Sequence, residues 1–194
     1  MVQVIEVDRG EQPRFGIGWE VGDGEWLTIV SKAAPGRTAR EAALAIAAHV
    51  VLGPAQPLTF PFQVGSPPTG FDLITASRGL SRGIRTASLA FVAADTSGEN
   101  FGRLTITAST ITGVPEYYSP NTTLGPYQAE LGGGSKNPYL LVFDVQGFLI
   151  SVEVFGADTS ASVDEAELRR IAESIVIIPD AANDPTVWTD QPLG

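Results

Sequence analysis

Residues 139–179 read YLLVFDVQGFLISVEVFGADTSASVDEAELRRIAESIVIIP, and this stretch decides the fold. Leu140, Val142 and Asp144 alternate with Tyr139, Leu141 and Phe143, so the first seven residues form a strand with two distinct faces. After Gln146-Gly147 the alternation resumes, with Phe148, Ile150, Val152 and Val154 on one side and Ser151 and Glu153 on the other. Two such runs around a short Gly-containing turn predict a β-hairpin. Gly156–Ala161 is small and polar and reads as a loop. Ser162 stands three residues before Glu165, the spacing of a capping box. Leu168, Ile171, Ala172 and Ile175 then recur at helical intervals, Glu165 and Arg169 are spaced to pair on the outer face, and Pro179 closes the element.

Working outward, residues 14–54 carry a fainter copy. Phe15–Val21 and Trp26–Val30 flank the turn Gly22-Asp23-Gly24-Glu25. Thr38 with Glu41 offers a second capping box, and Ala43, Ile46, Ala47 and Val50 make a stripe that ends at Gly53-Pro54. Trp19-Glu20-Val21 corresponds to Phe143-Asp144-Val145, so the order reads as an internal ββα repeat with a truncated first unit. Ahead of it Val2–Asp8 alternates as an edge strand. Gly53–Pro57 is a linker, and Leu58–Val64 carries Pro61, which removes a ladder donor and confines it to an edge or an arm. Phe71–Ser77, Ile84–Val92 and Arg103–Ser109 are three further strands. Thr112–Leu124 is read as irregular, Tyr127–Leu131 as a short strand, and Asp180–Gly194 as a polar tail anchored by Trp188. Short connections make neighbouring strands antiparallel. The expected fold is α+β: a curved antiparallel sheet with two amphipathic helices on one face. It divides into a truncated unit (1–54), a complete unit (57–179) and a tail (180–194), packed as one globule.

Composition bounds the function. A chain of 194 residues with an apolar fraction of 43% has enough material for a core. The net charge of −10, with two lysines and ten arginines, repels phosphate backbones and argues against nucleic acid or an anionic membrane as partner. With no cysteine there are no disulfides, thiolate metal sites or cysteine nucleophiles. No run is long enough to span a membrane, and Met1–Val4 lacks the basic region of a signal peptide, so any anchor is expected outside this sequence.

No catalytic or cofactor motif stands out. Gly16-Ile17-Gly18 lacks the third glycine of a dinucleotide turn, and Gly132–Gly134 with Ser135-Lys136 has the wrong order for a phosphate loop. His49 is the sole histidine and has no second His to share a metal. Asp95–Asn100 lacks calcium-loop spacing. Glu20 and Asp144 sit at equivalent strand ends and are the carboxylates a hydrolase would use, although the bland reading places both in solvent. Tyr117-Tyr118, between Pro115 and Pro120, could stack on a sugar or grip a peptide. With Trp188, they are the candidate contacts for a ligand or partner. The expectation is no metal, no cofactor and no catalytic residue.

Pro61-Phe62-Gln63-Val64 followed by Pro68-Thr69-Gly70-Phe71-Asp72-Leu73 resembles the opening of extracytoplasmic domains of Gram-positive bacteria. Gly125-Pro126-Tyr127 through Phe143-Asp144, then Leu168–Ile175, resembles their close. These are uncharacterised modules of membrane-tethered, anti-sigma-factor-associated actinobacterial proteins, distantly similar to the lipoprotein-carrier and sigma-E-regulator fold. The resemblance spans residues 57–178, and Phe143 stands where the family commonly has Trp. It implies a non-enzymatic sensory or binding domain in the cell envelope, membrane-associated only through an N-terminal anchor outside this sequence. Its partner would be an apolar or peptide-like ligand or another protein. The alternatives are an acyl- or glycan-processing hydrolase and a structural module that pairs through an edge strand.

Overall fold

The computed structural model describes residues 2–7, 14–22, 25–51, 57–93, 102–134, 137–156 and 163–193. The loop at 95–100, the linker residues 53–56, Ser135-Lys136 and Ser162, all read above, lie outside them. The chain forms two compact units, Met1–Ala55 and Gln56–Gly194.

The first unit is a three-stranded antiparallel sheet and one helix. Strands β1 (Val2–Val7), β2 (Arg14–Gly22) and β3 (Glu25–Lys32) lie in sequence order, and helix α1 (Ala39–Ala47) packs on β2 and β3. The capping box forms as expected: Thr38 Oγ1 accepts the Glu41 N–H at 3.2 Å, and Glu41 Oε2 accepts the Thr38 N–H at 2.8 Å. The buried face of α1 is the expected one only at Ala43. Ala39 and Ala43 point inward onto Phe15, Ile17 and Ile29, while Ile46 is 50% exposed. The helix stops at Ala47, so Val50 is no longer on it, and two alanines four apart let the backbone lie close to the hairpin. The Arg40 guanidinium sits 5.9 Å from the Phe15 ring centre and covers its edge of the core.

The second unit is built on a seven-stranded antiparallel sheet. In chain order its elements are β4 (Phe62–Val64), β5 (Phe71–Ser81), β6 (Ile84–Ala93), β7 (Arg103–Ser109), β8 (Thr122–Leu124) and β9 (Tyr127–Gly132). Then follow β10 (Tyr139–Val145), β11 (Phe148–Phe155), helix α2 (Glu165–Glu173) and β12 (Ile175–Ile177). The sheet order is β5-β6-β7-β11-β10-β9-β8, and β4 pairs separately with β12. The single sheet expected under both helices is therefore three among the described residues: α1 packs on the three-stranded sheet, α2 on the seven-stranded one, and β4–β12 is a separate pair. Thr122–Leu124, expected to be irregular, pairs with β9 because Asn121 completes the ladder. Its side chain exchanges two hydrogen bonds with the Leu131 backbone, each 2.9 Å.

The β10–β11 hairpin turns on Gln146 and Gly147, both left-handed (φ 52° and 86°), the conformation a two-residue turn requires. Leu140, Val142, Phe148, Ile150, Val152 and Val154 all enter the main core, as the alternation predicts. Asp144 does not follow Leu140 and Val142. Pairing advances three residues on β10 against two on β11, and Asp144 takes φ 57° in the resulting bulge.

Leu168, Ile171 and Ala172 of α2 close the core from above, each large side chain contributing about 1.5–3 kcal/mol on burial. Two expectations about this helix are corrected. Its N-cap is Asp164, whose Oδ1 accepts the Glu167 N–H at 2.9 Å, two residues beyond Ser162. Ile175 is not a fourth helical stripe residue, because the helix is capped at Ser174 and the chain is extended from Ile175, which pairs with Val64. Residues 180–193 are part of the unit rather than a trailing tail. Phe60 and Thr189 exchange backbone hydrogen bonds of 2.7 and 2.9 Å, and Ala181 and Trp188 are buried. No described helix is long and apolar enough to cross a membrane.

Candidate ligand-binding cleft

An apolar cleft of about 210 Å³ opens between the C-terminal end of α2 and the sheet. Its floor is Val142, Val145 and Ile150, one wall is Leu124–Tyr127, and the other is Ala172, Glu173 and Ile175. Each piece follows from local structure. Val142 and Ile150 face α2 by strand alternation. Gly125 is left-handed (φ 55°), which lets β8 reverse into β9 and bring Pro126 and Tyr127 over the floor. Ala172 is the small member of the helical stripe, so the space a larger side chain would fill stays open.

Arg169 holds the mouth at a set width. Its Nη1 and Nη2 donate to Thr123 O (2.9 Å) and Thr122 Oγ1 (2.7 Å), while Nε donates to Glu165 (3.0 Å). One side chain thus ties α2 to β8 a turn before the cleft begins. Glu173, exposed at the rim, is the only charged lining residue. Such a site can take an apolar group.

Tyr117 and Tyr118 lie on the other face of the sheet. Their rings meet at 4.4 Å, and Tyr118 also packs 5.5 Å from Phe143, in a small cluster with Leu141 and Leu149. Removal from water is the main cause that pushes the Tyr118 hydroxyl above its ordinary value. The loop is tied down by Glu130, which accepts the Ser119 N–H at 2.6 Å and the Tyr139 hydroxyl at 2.8 Å. That second bond, first among the causes, raises the Tyr139 pKa. Tyr117 alone is open, at 75% exposure. The nearby Gly133 is required by its backbone: φ is 82°, and a Cβ there would collide with the Asn137 carbonyl.

Trp188 is on the α2 side, 7% exposed, with its Nε1–H donating to Ala181 O at 2.9 Å. The structure therefore brings Tyr117 and Tyr118 together and keeps Trp188 apart from them, across the sheet. Glu20 is exposed on β2 of the first unit, and Asp144 is exposed in the β10 bulge of the second. His49 is exposed just past α1, its Nδ1 2.8 Å from Ala45 O. Among the described residues no three His, Cys, Asp or Glu gather as a metal site requires.

Sequence reasoning gave the strand faces that hold Val142 and Ile150, put Ala172 in the helical stripe and quoted Gly125-Pro126-Tyr127, yet it did not join them into a cleft. The one available signal was Ala172, a small residue between Ile171 and Ile175. In comparisons with known proteins, the chain matches no family model and no curated relative.

Proposed function

We propose that the protein is a non-enzymatic binding or sensory domain of the bacterial cell envelope, tethered to the membrane through a segment outside this sequence. Its working site is the cleft under α2. The observation that carries this reading is the lining: nine of ten wall residues are uncharged, and the tenth is at the rim. At about 210 Å³ the cleft falls below the range of drug-sized ligand sites. It suits an apolar side chain of a peptide or a short stretch of acyl chain. Placement in the envelope rests on the motifs Pro61–Val64, Pro68–Leu73 and Gly125–Tyr127, which resemble extracytoplasmic modules.

We also read the two ββα pieces as copies of one ancestral unit. Each hairpin has one extra residue on its first strand immediately before the turn, between Glu20 and Gly22 and between Val142 and Val145. Each leads to a capped helix of nine residues.

The test is a titration of the full chain with octan-1-ol, a neutral acyl mimic, followed by methyl NMR. The expected result is saturable shifts at Val142, Ile150 and Ala172, abolished in Ala172→Leu, which fills the space. Shifts that are absent, or that survive Ala172→Leu, would overturn the cleft as the site. A second reading, edge-strand pairing, draws on β1 and β5, each of which is bonded on one side only among the described strands. Dimerisation lost on placing proline in Val2–Asp8 would favour it.

A further inference from the structure

Apart from the cleft, two arginines converge on a second cavity, and among the described residues neither is ion-paired. The β5–β6 hairpin turns on Arg82-Gly83, both left-handed, so Ser81 pairs with Ile84, Leu80 with Arg85 and Arg78 with Ala87. Directly paired residues share a face, and residues two apart do too. Arg78, Leu80 and Arg85 therefore stand on the same side as the core residues Ala87, Leu89 and Phe91. There the segment 180–189 passes over the sheet end, and a cavity of about 260 Å³ remains between Arg78, Leu80, Arg85, Pro185 and Trp188.

Among the described residues the ion-paired arginines are Arg169 and Arg170, so what sets Arg78 and Arg85 apart is that both line one cavity. In a chain of net charge −10, acidic partners are abundant. Arg169 and Arg170 each take one, Glu165 and Glu167. Arg78 and Arg85 do not: among the described residues their guanidinium hydrogen bonds go to neutral oxygens, Thr59 Oγ1 at 3.0 Å and Ala182 O at 3.1 Å. A guanidinium has five N–H donors, so each fork keeps most of its donors for something else. Arg85 is also half-buried, where an uncompensated cation is disfavoured. Trp188 adds a rigid apolar wall, since its indole is fixed by the bond to Ala181 O. An apolar wall with a few convergent polar groups is the composition of a small-molecule site, and paired guanidinium forks match a planar carboxylate.

We propose that this cavity binds a small organic carboxylate, its carboxylate between Arg78 and Arg85 and its apolar body against Trp188 and Leu80. The site is separate from the α2 cleft and does not depend on it.

The experiment titrates the full chain with benzoate, observing the Trp188 indole N–H resonance by NMR and the heat by calorimetry. Benzamide and inorganic phosphate are the comparison probes. The expected result is saturable binding on the order of millimolar, as suits so small a ligand, that weakens with added salt. Arg85→Gln should weaken it about tenfold or more through loss of charge-assisted hydrogen bonds. Arg78→Gln, at an exposed position, should weaken it without risk to folding. Arg82→Gln, in the same turn, should leave it unchanged and so separates a built site from general positive charge. Unchanged melting temperatures and far-UV CD confirm that each variant is folded. Benzamide binding as tightly as benzoate, phosphate binding more tightly, no saturation, or affinity insensitive to both Arg78→Gln and Arg85→Gln would each overturn the proposal.

Discussion

The first ββα piece and the last one use the same local devices and obtain different cores. In both, a hairpin with a bulge before its turn leads to a nine-residue helix with a side-chain N-cap, Thr38 in one and Asp164 in the other. Beneath α1 lie Phe15, Ile17 and Ile29, reached by two alanines. Beneath α2 lies a core that takes in six of the seven strands of the large sheet, with Phe71 of β5 packed against it, reached by Leu168 and Ile171, both fully buried. Capping and turn chemistry decide where elements begin and end. The volume and number of side chains that meet decide how firmly they hold.

The sharpest way to break this comparison is to separate the units. Residues 56–194 expressed alone should fold and melt cooperatively, because their described core is made within the unit. Residues 1–55 alone should show no cooperative transition by calorimetry, since a domain of this size is marginal and its described core contains three buried apolar residues, of which only Ala43 is fully buried. A cooperative melt of 1–55 above room temperature would mean that α1 is held as firmly as α2. Next in size is the helix stripe. Leu168→Ala should lower stability by about 2–5 kcal/mol, through lost burial and a cavity. Ala43→Gly should cost about 1 kcal/mol, mostly as helix propensity. Urea midpoints measured on the full chain give both values, and near-equal losses would erase the distinction drawn here.

The same contrast explains what could be read from the sequence. The faces of β10 and β11 were legible because a buried two-sided strand writes its alternation plainly, and Thr38 with Glu41 was legible because a capping box is local. Ser162 was the wrong cap because its neighbour Asp164 offers an equivalent oxygen at a better place, two residues later. Val50 was misread as part of the stripe because helical spacing continues past Ala47, whereas the backbone does not, and Ile46 is on the helix but turned away from its buried Ala39–Ala43 face. Ile175 belongs to β12 for a non-local reason, its pairing with Val64 more than a hundred residues earlier. The cleft itself depends on how far the Gly125-Pro126 turn stands from Ala172. The convergence of Arg78, Arg85 and Trp188 depends on the return of residues 180–189. Neither distance is written in any local pattern.

Smaller effects sharpen the claim that local devices are equivalent in the two pieces. Thr38→Ala and Asp164→Ala each remove an N-cap oxygen and should each cost about 1 kcal/mol where the helix is coupled to its unit. If the loss at Thr38 is invisible in the global melt but appears as faster amide exchange across α1, then α1 opens on its own while α2 does not.

The smallest effect is electrostatic, and its sign follows from the two first turns. Glu167 is held below the usual carboxylate value of 4.5, chiefly by its hydrogen bonds to Arg170, the Nε contact being 2.6 Å. Glu41 is also held below 4.5, chiefly by the Thr38 backbone N–H. In both cases the folded value lies under the unfolded one. The contribution to stability is therefore present above about pH 4.5 and is lost as pH falls through the lower folded value. Replacing Arg170 by Gln should let the Glu167 carboxyl return toward 4.5 and remove that part of the acid sensitivity of α2, with Glu41 unmoved in the same carboxyl NMR titration. The change in stability at neutral pH should stay under about 1 kcal/mol, as for other surface pairs. If Glu167 kept its low value in Arg170→Gln, the cause would lie instead in the backbone at the helix N-terminus. The two helices would then share one electrostatic origin rather than the two assigned to them.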